Sequence, residues 1–215
     1  MNKFIRPSNS LISFNTNKIK MQFPLHFKFK ITTLANDFTV QDNNGNTVAY
    51  VRQKMFKFVD EIMVYSNESK SELLYTIKAN KWIDFNAAYA FTNSEGNELG
   101  KVARRGWASI WKARYEIFNE ANENNLIIQE ENPWVKVGDA LLSEIPILGL
   151  LTGYLFNPAY VVKDQNDQVI YRLKKEASFF GRKFSLQRLS DQSEATDLQA
   201  TLSLMMMILL ERRRG

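Results

Sequence analysis

The chain contains no cysteine and a single histidine, His26, among its 215 residues. Without thiols it can build neither a disulfide framework nor a cysteine-rich zinc site, and such a composition fits a reducing compartment, so a cytoplasmic location is expected. Nucleophilic triads ordinarily need a histidine base or a lysine in its place. His26 falls on the polar side of an alternating segment, with no partner suggested by the sequence, and reads as an ordinary surface residue. A G-x-S-x-G elbow, a P-loop and an H-E-x-x-H motif are all missing. These absences argue against an enzyme and give no reason to expect a metal or cofactor. The N-terminal stretch MNKFIRPSNSLISFNTNKIK has basic residues but lacks the uninterrupted apolar run of ~7–15 residues that a secretory signal requires. Residues 1–21 are therefore read as a loosely ordered leader, ahead of a single domain over 22–215.

What the chain does have is apolar material: 45% hydrophobic and 13% aromatic residues, enough for a sizeable core. Its formal charge of +5 favours an anionic partner, either a phosphate-rich membrane surface or nucleic acid. From Phe23 onward the pattern is that of strands. In FPLHFKFKIT, Leu25, Phe27, Phe29 and Ile31 alternate with His26, Lys28, Lys30 and Thr32, a period of two that gives one buried face. DEIMVYS and ELLYTIKA form two further strands around the turn-rich NESKS. KARYEIF follows, then a polar loop, NEANENN.

A weak repeat links FTVQDNNGNTVAYVRQK, YAFTNSEGNELGKVARR and YVVKDQNDQVIYRLKK. Each runs strand, Asp or Asn, short polar turn, strand, basic end, and each is a credible hairpin. Aligned on Gly45, Gly96 and Asp167, the third position onward is Val48, Leu99 and Ile170, and the sixth is Val51, Val102 and Leu173. An apolar spacing of three does not suit a flat strand, so a bulge or burial on both faces is implied. Recurring hairpins suggest one large antiparallel sheet closed on itself to hide its edges. Between the second and third repeats, Trp134 to Ser143 suits a short amphipathic helix after Pro133. The apolar run from Ile145 to Phe156, broken by Pro146, Gly149 and Gly153, reads as a buried crossover.

The last apolar segment, Leu198 to Leu210, follows two possible capping boxes, Asp191 with Glu194 and Thr196 with Gln199. Its 13 residues give ~20 Å of helix at ~1.5 Å per residue, too short to span a ~30 Å hydrocarbon core. Yet it is apolar all round, which a surface helix does not tolerate. A helix enclosed by protein satisfies both facts; a peripheral or tail-anchored helix and a dimer contact are the alternatives. A barrel wide enough to hold one helix would let Glu211 to Arg213 emerge at a mouth, with Met205, Met206 and Met207 fitting an irregular interior.

The hairpin repeats end on basic residues: Arg52 and Lys54, Lys101 with Arg104 and Arg105, and Arg172 with Lys174 and Lys175. Gathered on one rim, such cations would hold phosphate oxygens through charge-assisted hydrogen bonds. The plainer reading is a solvated strand edge kept basic against aggregation. Trp82, Trp107 and Trp111 lie among basic residues in segments such as RRGWASIWKAR. They suit core packing first, then a membrane interface or a single-stranded nucleic-acid groove.

FKFKITTLANDFTVQDNNGNTVAYVRQKMF, YTIKANKWIDFNAAYAFTNSEGNELGKVARR, WKARYEIF and LMMMILLERRRG together resemble the Tubby C-terminal-like superfamily, in its LURP-one-related and phospholipid scramblase-like branch. The likeness spans residues 22–212. It implies a mainly β fold, a closed antiparallel barrel of about 12 strands around a central hydrophobic C-terminal helix at about 193–212. Members of that superfamily bind phosphoinositides, are described as scramblases, or act in plant defence, and many bacterial members have no assigned activity. Scramblase-like proteins place a calcium-associated acidic segment before the last helix. Here LQRLSDQSEATD offers only Asp191, Glu194 and Asp197, so calcium is not expected. The resemblance implies a non-enzymatic module for anionic phospholipid or phosphoinositide headgroups at a membrane surface. No family residue maps onto this chain, so the candidate site residues come from the basic repeat ends: Arg104, Arg105, Lys174, Lys175, Arg52 and Lys54. A scramblase-like activity and a structural or nucleic-acid-binding barrel are the other expectations.

Overall fold

The alternating segments become strands in the computed structural model, which describes residues 19, 21–30, 36–54, 61–79, 88–105, 114–131, 159–176 and 183–212. The strands are β1 (Leu25–Phe29), β2 (Phe38–Gln41), β3 (Thr47–Gln53), β4 (Glu61–Tyr65), β5 (Leu73–Ala79), β6 (Ala88–Asn93), β7 (Glu98–Arg105), β8 (Arg114–Phe118), β9 (Asn124–Glu130), β10 (Ala159–Lys163), β11 (Val169–Glu176) and β12 (Lys183–Arg188), followed by the helix α1 (Glu194–Arg212). Each strand pairs antiparallel with its neighbour in sequence, and β1 pairs with β12, so the sheet closes into a barrel. No edge is left for another chain to extend. The expected closed barrel and C-terminal helix are both present. The Trp134–Ser143 helix, the apolar run 145–156, Ile31, Trp82, Trp107, Trp111 and Arg213 lie outside the described residues.

Closure gives every strand an inner and an outer face. Leu25, Phe27, Val40, Val51, Ile62, Val64, Ile77, Phe91, Val102, Ile117, Ile128, Leu173 and Leu186 are almost wholly buried, and they succeed one another at the period of two. The spacing of three in the repeats has a specific cause. Val40 faces Ala49 while Gln41 faces Thr47, so Val48 is an extra residue. The same shift makes Leu99 and Ile170 extra residues opposite β6 and β10. It recurs at Leu74 in β5 and at Asn125 in β9, so NEANENN is a further copy of the device rather than a plain loop. A bulge beside a tight turn sharpens the twist and curls the sheet, and here all five tight hairpins carry one. The residue opening each turn explains the repeated Asp or Asn. Asp42 Oδ1 accepts the backbone N–H of Asn44 and of Asn46, both at 2.9 Å. Asn93 and Asp164 do the same in their turns, and Asn119 accepts from Glu123.

The helix α1 runs through the barrel. Leu202, Leu204, Met205, Met206, Met207 and Leu209 have no exposed surface, and Ile208 has almost none. Among the described residues no helix is long and apolar enough to cross a membrane. The helix starts one residue later than expected and from a different cap. Ser193 Oγ accepts the Thr196 N–H at 3.1 Å, and its carbonyl accepts from Asp197. Neither Asp191 nor Thr196 is the cap, because Asp197 and Gln199 are engaged with the wall. Asp197 accepts hydrogen bonds from the Tyr171 hydroxyl at 2.6 Å and Arg188 Nη1 at 2.9 Å, while Arg188 also lies over the Phe23 ring. Gln199 Nε2 donates to the Leu99 carbonyl, and its Oε1 accepts from Asn125; both wall partners are bulge residues. At Gly100, whose φ is +124°, an added Cβ would lie 2.4 Å from the Phe118 carbonyl oxygen of the neighbouring strand and 3.3 Å from Gln199 Nε2 of the helix. Ile19 and Met21, at the end of the segment read as leader, also pack on this core, and Met21 Sδ accepts from Thr201.

Two outcomes follow from this enclosure. Met206→Asp places an unpaired charge in the interior and should cost several kcal/mol, whereas Met206→Leu should be tolerated; urea melts compare them, and an equally stable Asp variant would contradict an enclosed helix. The second concerns pH. Burial, and then the hydrogen bond to Asp197, raise the Tyr171 hydroxyl above its ordinary 10.0. The unfolded chain therefore loses this proton first as pH rises. Stability from Tyr171 is complete below about pH 10 and declines above it. Thermal melts from about pH 8 to about pH 11 should show that decline, and Tyr171→Phe should flatten it.

Candidate functional site

Chain direction sorts the barrel into two ends. The five bulged hairpins, at 42–46, 66–72, 93–97, 119–123 and 164–168, all lie at one end, because each joins an even strand to the next odd one. β12 finishes at that same end, so α1 enters there and runs toward the other. The odd strands β3, β7 and β11 begin at the turn end and finish at the opposite rim. Arg52, Lys54, Arg104, Arg105, Lys174 and Lys175 therefore all sit at one end of the barrel, the end toward which α1 points.

Charge is divided along the same axis. The five turns and residues 189–194 hold ten carboxylates against one cation, Lys70. The acidic residues are Asp42, Glu68, Glu72, Glu95, Glu120, Glu123, Asp164, Asp167, Asp191 and Glu194. The rest of the chain keeps 27 of the 28 lysines and arginines but 13 of the 23 acidic residues. At the opposite strand ends, Lys28, Lys30, Lys78, Arg114 and Lys183 join the six named cations, against Asp37, Glu61, Glu130, Glu131 and Glu176, with Lys30 paired to Glu68 of the 66–72 turn. The sequence reading missed these five as rim residues because they lie outside the repeats. Only strand direction and register bring them to the rim.

The rim is not one patch. In the closed order β3, β7 and β11 are four strands apart from one another, all the way round. Pleating also splits the paired cations. Arg104 shares the inner face with Val102 and faces Tyr115, and Lys175 shares it with Leu173 and faces Phe184. Arg52 and Lys174 take the outer face. Lys54 is held by Glu61 at 2.9 Å and Arg172 by Glu131 at 3.0 Å, while Lys101 lies over the Phe118 ring. Arg52, Arg104, Lys174 and Lys175 have no ion-pair partner among the described residues. The Arg104 Nε is buried with no hydrogen-bond acceptor. Arg105 closes β7 in register with Arg114.

Two other polar groups sit on the outer wall. His26 Nδ1 lies 3.4 Å from Glu176 Oε1, a partner that sequence spacing did not disclose because it reaches across β12. The Tyr50 hydroxyl donates to buried Asp37 at 2.7 Å, and burial together with that bond raises the phenol above its ordinary range. A surface His26–Glu176 contact and a buried phenol hydrogen-bonded to Asp37 brace a wall. Neither places a base beside a nucleophile.

Residues 47–140, from the first residue of β3 past the end of β9, match the LURP-one-related family. No curated protein and no solved structure matches the chain. The matched stretch covers 94 of the 215 residues and runs through the strands of the closed barrel, so over that stretch the chain is similar to LURP-one-related proteins.

Proposed function

We propose that this barrel is a non-enzymatic binding module for anionic phospholipid headgroups, working peripherally at a cytoplasmic membrane surface. The observation that carries the reading is the axial division of charge. A body with carboxylates at one end and lysine and arginine at the other is oriented by a negative surface before contact, basic end first. Cations that lack internal partners are free to donate to phosphate oxygens on arrival, arginine in bidentate fashion. The likeness to the LURP-one-related family over residues 47–140 is consistent with a binding barrel and leaves the ligand open.

Replacing Arg104, Arg105, Lys174 and Lys175 together with Ala should weaken binding to phosphatidylserine or phosphoinositide vesicles by several kcal/mol, at ~1 kcal/mol per cation near the surface. Wild-type binding should also fall as salt rises, because such attraction is screened over ~8–10 Å at ordinary ionic strength. Co-sedimentation across a salt series measures both effects, with circular dichroism to show that the variant is folded. Equal binding by the two proteins, or none by either at low salt, would remove the headgroup reading. His26→Ala should leave fold and vesicle binding unchanged, because its contact with Glu176 is a part-exposed surface pair that contributes little. Loss of a measured turnover activity in folded His26→Ala protein would contradict the non-enzymatic assignment.

A further inference from the structure

The three repeated hairpins end on β3, β7 and β11, which divide the closed sheet of twelve strands into equal thirds. Four strand steps of ~4.8 Å separate each from the next by about 19 Å along the wall. A charge-assisted hydrogen bond to phosphate requires ~2.7–2.9 Å, and Arg52 and Lys174 leave the outer face at positions this far apart, so one phosphate group does not bridge those two. The separation also exceeds the ~8–10 Å screening length, so the three positions are not directly coupled, although Lys183 on β12 and Lys28 on β1 lie between β11 and β3. Each third nevertheless keeps at least one cation without an ion-pair partner among the described residues: Arg52 on β3, Arg104 on β7, and Lys174 with Lys175 on β11. All four lie within the last three residues of their strands, at the same end of the barrel.

We infer that the barrel meets an anionic membrane through three separate cationic contacts, one in each third of the rim, and so reads a surface carrying several headgroups rather than a single soluble one. This rests on the headgroup reading and narrows it. A soluble inositol phosphate fills one contact, while a vesicle offers partners to all three. Once the first contact is made, the others form at high effective concentration. Occupancy should therefore climb more steeply than in proportion as the fraction of anionic lipid in the bilayer increases.

Vesicle titrations at several mole fractions of phosphatidylserine in phosphatidylcholine test this, with inositol hexakisphosphate as soluble competitor. Three variants each clear one third: Arg52→Gln, Arg104→Gln, and Lys174→Gln with Lys175→Gln. Charge removal by glutamine keeps much of each stem, and unchanged melting temperatures show that the fold is kept. Each of the single-residue changes should weaken vesicle binding by about 5-fold, with a larger loss for the double change, and the losses should multiply when combined. Vesicle binding that rises only in proportion to anionic lipid overturns the inference, as does one third carrying the whole effect. So does full competition by the soluble phosphate at concentrations comparable to accessible lipid phosphate. In those cases wild-type binding to vesicles still stands and the headgroup reading survives. Failure of the wild type to bind any anionic vesicle removes both.

Discussion

A helix that is apolar on every side has to be surrounded, and most of this structure follows from surrounding one. Pure enclosure by side chains would leave the helix free to slide or turn, since apolar contacts have little direction. Its polar residues supply the direction. Gln199 grips the Leu99 carbonyl and the Asn125 amide, Asp197 holds Tyr171 and Arg188, and Ser203 satisfies itself on the Gln199 carbonyl. These bonds cluster in the half of α1 nearest its start, and the methionines and leucines beyond them rely on shape alone. The wall answers with bulges. A bulge curls a strand pair and re-aims its residues, and the two that meet Gln199 convert a twist-making irregularity into a docking point.

The helix also carries a direction of its own. Its backbone dipole puts partial positive charge at Glu194 and partial negative charge at Arg212. The barrel surrounds the first end with carboxylates and the second with an excess of lysine and arginine over carboxylates, so the wall's net charge complements the helix rather than opposes it. Glu194 and Asp197 lie in the first turn, where acidic side chains are favoured. The same division that orients the molecule before an anionic surface is therefore compatible with its most buried element, and the two demands do not compete.

Much of the fold was legible because its signals were local. Alternation in LHFKF specifies a strand with a single wet face, and the all-apolar tail specifies enclosure. The spacing of three between Val48 and Val51 implied a bulge, which register pairing located at Val48 itself. The cap was misread because Asp191, Ser193 and Thr196 are all competent cap residues, and the choice was made by Asp197 and Gln199 reaching the wall, a tertiary fact. The rim was half legible. The basic repeat ends were visible, but whether Lys174 and Lys175 act together depends on the pleat, and whether Arg52, Arg104 and Lys174 adjoin depends on strand order around a closed ring. His26 lacked a partner in sequence because Glu176 lies two strands away.

The closing pair of the barrel is made from its first strand and its last, with Leu25 opposite Leu186, and α1 follows both. During synthesis from the N-terminus, eleven strands can pair in order, yet they form an open ribbon with unpaired edges and an uncovered apolar face until β12 and α1 have left the ribosome. Such exposed edges and surfaces are where nascent chains aggregate. Ring closure thus waits for β12 and α1 to emerge, and until then the ribbon depends on whatever shields its edges and its apolar face.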